Sequence, residues 1–373
     1  MSTQPTVSCA KTDGFAERIS MKVQVAFQGG GARLALFFPI VEALLEIERE
    51  GIIQITGAAG TSAGAIAAAL VAGKGTTQLL QNQLLNDANN NSDTIRRILP
   101  EITWMKIMSL VLFKQPFANE LDLKDFLTRC LMVCGISPDL PLSEFERRGR
   151  PFFASIADLR TRSVQPHLPE STLMQALMTS AGLPLYYRVS AERVDGGVLN
   201  NLPTDMLDST RGHILAFAFA DDPYVKAPSN PIGLMFSMLN AAMANAIRLM
   251  KSRIGSDFVY TIPTRFDVFE VEGMEIEEFI KFVKSTSAYI VAKEAAIKWT
   301  KERVEFLKQP PMPIIVESSS GPKARLGDLS KSAQKLFDLY KRADNIVLET
   351  TMIEWLRTAL TKVIRQDLIL LDL

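Results

Sequence analysis

The stretch Gly57-Ala-Ala-Gly60-Thr61-Ser62-Ala63-Gly64 constrains this chain more than any other, because it sets a serine among small residues where one kind of apolar run gives way to another. Ile52, Ile53 and Ile55 before it read as a β-strand, and Ala65 to Val71 after it read as a helix. A G-x-S-x-G arrangement on a strand-to-helix turn is a nucleophile elbow, in which side chains at Gly60 or Gly64 would block the turn or the approach of a substrate. Ser62 is therefore the candidate nucleophile. At the start of a helix it also places developing negative charge at the positive end of the dipole. The competing reading makes Ser62 an ordinary N-cap, with glycine and alanine allowing a helix to pack on a strand.

Upstream, Met21 to Phe27 reads as a strand that leads directly into Gln28-Gly29-Gly30-Gly31-Ala32-Arg33. An amphipathic helix follows from about Leu34 to Glu50, with Leu36, Ile40, Leu44 and Ile47 near helical spacing, and stops at Gly51. Together with the elbow this is β-α-β-α, the opening of a parallel α/β sheet. Three successive glycines before a helix present bare backbone N–H groups, which is an anion cradle. The dinucleotide pattern G-x-G-x-x-G fails at Leu34, and no G-x-x-x-x-G-K-[ST] occurs. With a nucleophile on the next turn, the cradle fits an oxyanion hole.

The second chemical landmark is Asp195-Gly196-Gly197. Little crowds an aspartate followed by two glycines, so its carboxylate can sit against a hydroxyl, whereas the plainer reading is a D-G turn between strands. The chain has two histidines, His167 and His213. His213 follows Ser62 and Asp195 in the order of an α/β-hydrolase triad, yet it immediately precedes the apolar run Ile214 to Ala220, where a histidine entering a strand is unremarkable.

Composition narrows the class of function. With 373 residues, 47% of them hydrophobic, the chain can bury a sizeable core in one large or two modest domains. Its 41 basic and 41 acidic side chains cancel, which excludes affinity built on neutralising a phosphate backbone, so no DNA or RNA polymer is expected as partner. The first twenty residues are polar and lack the pattern of a signal peptide, which points to a cytoplasmic protein. No run of eighteen uninterrupted apolar residues occurs, although 232–250 comes closest. Cys130 and Cys134 lie one helical turn apart and, like Cys9, have no metal-site spacing, so they read as buried thiols and no metal site is expected.

Taken jointly, these landmarks resemble the patatin-like phospholipases, a family of serine acyl hydrolases that uses a Ser-Asp dyad. The family's glycine-rich loop is similar to Gly29-Gly30-Gly31-Ala32-Arg33, its G-x-S-x-G to Gly60-Thr61-Ser62-Ala63-Gly64, and its D-G-G to Asp195-Gly196-Gly197, in the family's order. The likeness runs from Lys22 to about Ala220. It departs at Leu34, where family loops usually carry another glycine, and the three backbone donors remain. The resemblance implies a three-layer α/β/α patatin-like fold with a largely parallel central sheet and a helical C-terminal extension. It implies that Ser62 attacks an ester of membrane phospholipid, that Asp195 takes its proton, and that N–H groups of the loop from Gly29 to Arg33, around Gly30, Gly31 and Ala32, hold the oxyanion. Arg33 either pairs with the lipid phosphate or steadies the loop. Neither a metal nor a redox cofactor is needed.

The expected organisation is a catalytic core over 22–222, with a helical cap inserted around 75–150, and a mainly helical extension over 223–373 packed on the core. Helices are expected at Gln78 to Leu85, Ile102 to Phe113 and Leu121 to Cys134, and in the second of these Trp104, Met105, Ile107, Met108, Leu110, Leu112 and Phe113 read either as core or as an interfacial patch. Pro151 to Ala157 reads as one buried strand, with Ser163 to His167 as its partner and a helix from Ser171 to Thr179. Later, helices over Pro231 to Arg253 and Glu275 to Leu307 flank a strand at Phe258 to Ile262, followed by an extended Pro310 to Val316 and helices from about Leu329. Compact bacterial relatives of this size include a class switched on by cyclic nucleotides against the inner face of the cell's own membrane during phage defence. That resemblance implies a cyclic di- or oligonucleotide activator and a homo-oligomer, with Arg248, Lys251, Arg253 and Arg325 either as phosphate partners or as solvated surface. Constitutive lipid turnover, or a non-catalytic lipid- or ligand-binding role, stands as the alternative, and the intact Ser62 and Asp195 favour the enzyme.

Overall fold

A strand that is apolar on both faces belongs at the centre of a parallel sheet covered by helices. Met21–Phe27 is such a strand, buried from Val23 to Phe27. The computed structural model describes residues 20–77, 112–184, 192–220, 231–263 and 285–309, with a few single residues between them. Its strands are β1 (Met21–Phe27), β2 (Ile53–Gly60), β3 (Phe152–Ala154), β4 (Ile156–Asp158), β5 (Ser163–Gln165), β6 (Arg193–Asp195), β7 (His213–Phe219) and β8 (Val259–Ile262). The main sheet has the order β3-β2-β1-β7-β8 with every described neighbour parallel. A smaller antiparallel sheet has the order β5-β4-β6.

Alternation along the strands divides the core in two. Val23, Val25, Phe27, Leu215, Phe217 and Phe219 face α1 (Phe38–Arg49) and α2 (Ala63–Ala72), in a cluster that also takes in α3 (Glu120–Val133), α4 (Leu142–Arg147) and α5 (Leu173–Ser180). Ala26, Ala59, Ala216 and Ala218 face the other way, against Leu202, Leu207 and Ile247 of α6 (Pro231–Ile254). The result is three layers around a parallel sheet, the α/β/α class expected. On the first face α7 (Thr286–Lys308) packs along α1, where the Tyr289 hydroxyl donates to Glu42 at 2.7 Å and Lys293 Nζ lies 2.7 Å from both Glu42 and Glu46.

Three local features differ from the sequence reading. The helix expected from Leu34 begins as a 3-10 helix over Gly31–Phe37 and becomes α-helical at Phe38, with Pro39 in its first turn, where a missing N–H costs nothing. β2 extends to Gly60, because Gly57 to Gly60 pairs with β1 and then β3. The strand expected over Pro151 to Ala157 divides at Ser155, sending β3 into the main sheet and β4 into the small one. The helix expected from Leu121 is α3, capped by the Asn119 side chain on the Leu121 N–H, and the strand expected near Phe258 is β8 at the sheet edge. Cys130 and Cys134 are buried and form no disulfide, and burial pushes the Cys134 thiol up to about 12.

Most of the cap over 78–111 lies outside the described residues, as do 310–316 and the helices expected from Leu329. Met105, Leu112 and Phe113 are described and are exposed, so these three contribute to a surface and not to a core. No described helix is long and apolar enough to cross a membrane.

One buried ion pair joins α1, α2 and β2. The Arg150 guanidinium, 6% exposed, pairs with Glu48 and also donates to the Val71 carbonyl at 2.9 Å, while Glu48 accepts the Ile55 N–H at 2.9 Å. Arg150→Ala is expected to lower the unfolding free energy by about 3 kcal/mol, since it strands a largely buried carboxylate. The double variant Glu48→Gln/Arg150→Met is expected to lose less, which denaturant unfolding of all three proteins measures.

Candidate active site

The order of the main sheet reverses between β1 and β7, and in open parallel sheets the crevice at the carboxyl ends of such strands is where ligands bind. All three sequence landmarks meet at this end. The glycine loop follows β1, the Ser62 elbow follows β2, and Asp195 ends β6.

Ser62 sits at φ 53°, ψ −121°, a conformation that side-chain-bearing residues rarely adopt and that marks a sharp nucleophile elbow. The turn closes because two glycines let backbones meet. A Cβ on Gly60 would lie 2.1 Å from the Gly64 carbonyl oxygen, and one on Gly64 would lie 2.4 Å from that of Phe27. Ser62 precedes α2 but its side chain makes no cap hydrogen bond. The ordinary N-cap reading therefore fails, and the Ser62 side chain instead favours the charged form of the Asp195 carboxylate.

Asp195 is buried, and its Oδ1 accepts the Gly197 N–H at 2.7 Å. Burial pushes its carboxyl up to about 6, against the bonds from Ser62 and Gly197 that favour the charged form. Tyr187, also buried, feels both its own desolvation and the Asp195 charge, and both raise its phenol, which stays neutral. A carboxylate poised near neutrality beside a hydroxyl is suited to accept that hydroxyl's proton.

Across from the elbow, Gly30, Gly31 and Ala32 form the start of the 3-10 helix, with Gly31 at φ 52°. The first N–H groups of a helix have no partner within it, so these three can serve an anion. The loop's outer members are committed elsewhere. Gly29 N–H donates to the Asn201 carbonyl at 2.9 Å and Arg33 N–H to the Gly30 carbonyl at 3.0 Å, which narrows the expected five-residue cradle to its middle three. The Arg33 side chain folds back on the loop, its guanidinium 4.2 Å from the centre of the Phe219 ring and its Nε 3.4 Å from the Gly30 oxygen. This geometry favours the loop-steadying reading of Arg33.

His213 begins β7 opposite Val23, whereas the elbow follows the end at which Phe217 pairs with Phe27. Four strand residues separate the two levels, about 13 Å, so His213 lies at the opposite end of the strands from Ser62.

Several residues that hold the site were not singled out by sequence. The Asn200 carbonyl accepts the Thr61 hydroxyl at 2.9 Å and the Ser155 hydroxyl at 3.3 Å, and Asn201 bonds Gly29 through both its carbonyl and its side-chain amide. Ser180 accepts the Ser62 N–H at 3.0 Å. The Asn-Asn pair directly after the D-G-G turn was the available signal for the first two, whereas Ser180 lies in an ordinary helical pattern.

Residues 25–208 match the family model described as patatin-like phospholipase. No curated protein matches the chain. Among solved structures, VipD from Legionella pneumophila is 13% identical, with a TM-score of 0.36 over 74% of this chain and 67% of VipD. Full-length ExoU in complex with SpcU, from the type III secretion system of Pseudomonas aeruginosa, is 15% identical, with a TM-score of 0.35 over 77% of this chain and 53% of ExoU. A second structure of the type III effector ExoU is 16% identical, with a TM-score of 0.34 over 77% of this chain and 54% of that one. The chain thus spans about half the length of the ExoU structures it matches.

The raised carboxyl of Asp195 has consequences for stability. Its folded value near 6 exceeds the unfolded value of about 4, so the protonated form stabilises the fold. That contribution is complete below pH 4 and is lost as the pH rises through 6. Asp195→Asn, which cannot ionise, is expected to be more stable than the parent at pH 8 by on the order of 2 kcal/mol, with the advantage vanishing near pH 4. Thermal unfolding across that range checks it, and an advantage independent of pH would contradict the assignment.

Proposed function

Residues 25–208 belong to the patatin-like phospholipase family, a family of lipid ester hydrolases, and on that premise we propose that the chain cleaves acyl esters of membrane phospholipid through a Ser62–Asp195 dyad. The observation that carries this reading is a serine on a strained elbow beside a buried carboxylate whose charged form the Ser62 side chain favours.

The Ser62 oxygen attacks the ester carbonyl while Asp195 takes its proton. The resulting oxyanion is held by the N–H groups of Gly30, Gly31 and Ala32, close to the start of α2. Collapse of the intermediate expels the alcohol, which leaves with the proton from Asp195, and the acyl group stays on Ser62. Water then attacks the acyl-enzyme, Asp195 takes a proton from it, and release of the fatty acid returns that proton to Ser62. This cycle needs no metal or redox group.

The catalytic unit in this reading is 22–222, including the helical cap insertion around 75–150, with 223–373 as a regulatory or assembling extension. The enzyme acts at the inner face of the membrane, and exposed Met105, Leu112 and Phe113 supply apolar surface for it. Resemblance to the cyclic-nucleotide-activated class supports gating by such a ligand, acting through a homo-oligomer, in defence against phage. Fatty-acid release from phosphatidylcholine vesicles, with and without a panel of cyclic di- and oligonucleotides, tests the gating. A rise with one of them supports it, and one unchanged high rate in all of them removes it.

For the chemistry itself, Ser62→Ala and Asp195→Asn are each expected to lower kcat by about 1,000-fold or more, and the double variant by little beyond that, because residues acting as a unit are not additive. His213→Gln is expected to stay within about tenfold of the parent, far short of the loss of a triad member. Hydrolysis of p-nitrophenyl butyrate by the folded variants measures all four. Full activity in either dyad variant would end this reading, and a loss in His213→Gln as deep as in Ser62→Ala would replace the dyad by a triad.

A further inference from the structure

The end of α5 touches both halves of the site. Ser180, its last residue, is fully buried, and its Oγ accepts the Ser62 N–H at 3.0 Å while donating to the Ser155 carbonyl at 2.7 Å. A hydroxyl has a single proton, so donation to Ser155 leaves a lone pair for Ser62 and fixes the sense of both bonds. Two residues on, the Gly182 carbonyl accepts the Asp195 N–H at 3.1 Å.

Ser155 is itself a junction. It is the residue at which the chain leaves the main sheet for the small one, and its N–H donates to the Gly60 carbonyl at 2.9 Å. Immediately after it, Ile156 pairs with Asp195 across β4 and β6. The nucleophile and the carboxylate thus stand on different sheets, and the Ser180-to-Gly182 turn holds the backbone N–H of each.

We infer that Ser180 is a positioning residue for the reaction, holding the Ser62 backbone in the positive-φ conformation that aims its hydroxyl at Asp195; the inference rests on the reading of those two residues as the dyad. A strained backbone persists only where its surroundings over-determine it. The Ser62 N–H opens α2 and has no partner within the helix, so Ser180 supplies the acceptor that keeps this turn from relaxing.

Ser180→Ala removes that acceptor. On p-nitrophenyl butyrate its kcat is expected to fall by up to about 100-fold, as for a reacting group misplaced by a fraction of an ångström to an ångström, with KM little changed. The acid limb of the kcat profile is expected to move to higher pH, because Asp195 loses part of the Ser62 hydrogen bond that holds its carboxyl down. Ser180→Cys keeps the size with a poorer acceptor and is expected to lie between alanine and the parent; it carries the test alone if Ser180→Ala does not fold. A purely structural role would lower the melting temperature and leave kcat per folded molecule and the acid limb where they were, and that result overturns the inference.

Labelling with a fluorophosphonate, followed by intact and peptide mass, separates the two layers of the argument. A parent protein that is not labelled at Ser62 overturns the dyad and this inference together. A parent labelled at Ser62, with Ser180→Ala labelled at the same rate, overturns the role of Ser180 alone. Slower labelling of Ser180→Ala than of the parent, in step with its lower kcat, supports it.

Discussion

The site depends on one backbone conformation that the chain would not adopt unaided. A serine at φ 53°, ψ −121° costs on the order of 1–3 kcal/mol, and the surroundings must repay it. Here the constraint comes from several sides at once: Gly60 and Gly64 allow backbone contact that any side chain would forbid, the Thr61 hydroxyl is tied to Asn200, and the Ser62 N–H is tied to Ser180. The strain is local and its supports are distant in sequence. In the proposed dyad, that arrangement would keep the hydroxyl turned to the carboxylate without reorganisation at the moment of reaction.

Burial of Asp195 follows from the same geometry. To reach Ser62 the carboxylate must stand behind the turn, out of water, which disfavours its charged form; two hydrogen bonds offset part of that cost and leave it titrating near 6. A solvated carboxylate would be a weaker base at neutral pH, and a buried one with no donors would stay protonated. The position between these limits suits the base of the proposed reaction, charged at pH 7 and still basic enough to take a proton. Stability is given up at this point, as is common where a fold holds a reactive group.

The layers around the sheet set where these pieces meet. Small side chains on one face, Ala26, Ala59, Ala216 and Ala218, let Leu202, Leu207 and α6 pack close to the strands, while the phenylalanines on the other face carry α1, α2 and α7. The described segments beyond Asp222 are part of this frame, since β8 completes the described sheet edge and α7 is bonded to α1 through Glu42 and Glu46. Control exerted from that region would act on the same body that carries the site.

The sequence by itself determined what is local. Glycine positions, apolar periodicity and the strand-turn-helix order placed β1, the elbow, the D-G-G turn and the α/β class, because each depends on the conformational freedom of a few adjacent residues. Tertiary structure decided what depends on residues far apart in the chain. It committed the Gly29 N–H to Asn201, split one apolar run at Ser155 between two sheets, set His213 at the far end of the strands, and set Ser180 and Asn200 against the elbow from 118 and 139 residues away. A serine ending an amphipathic helix or an asparagine after a turn carries no local mark of such a role. Only packing between distant segments brings their polar atoms to within about 3 Å of the turn at Ser62.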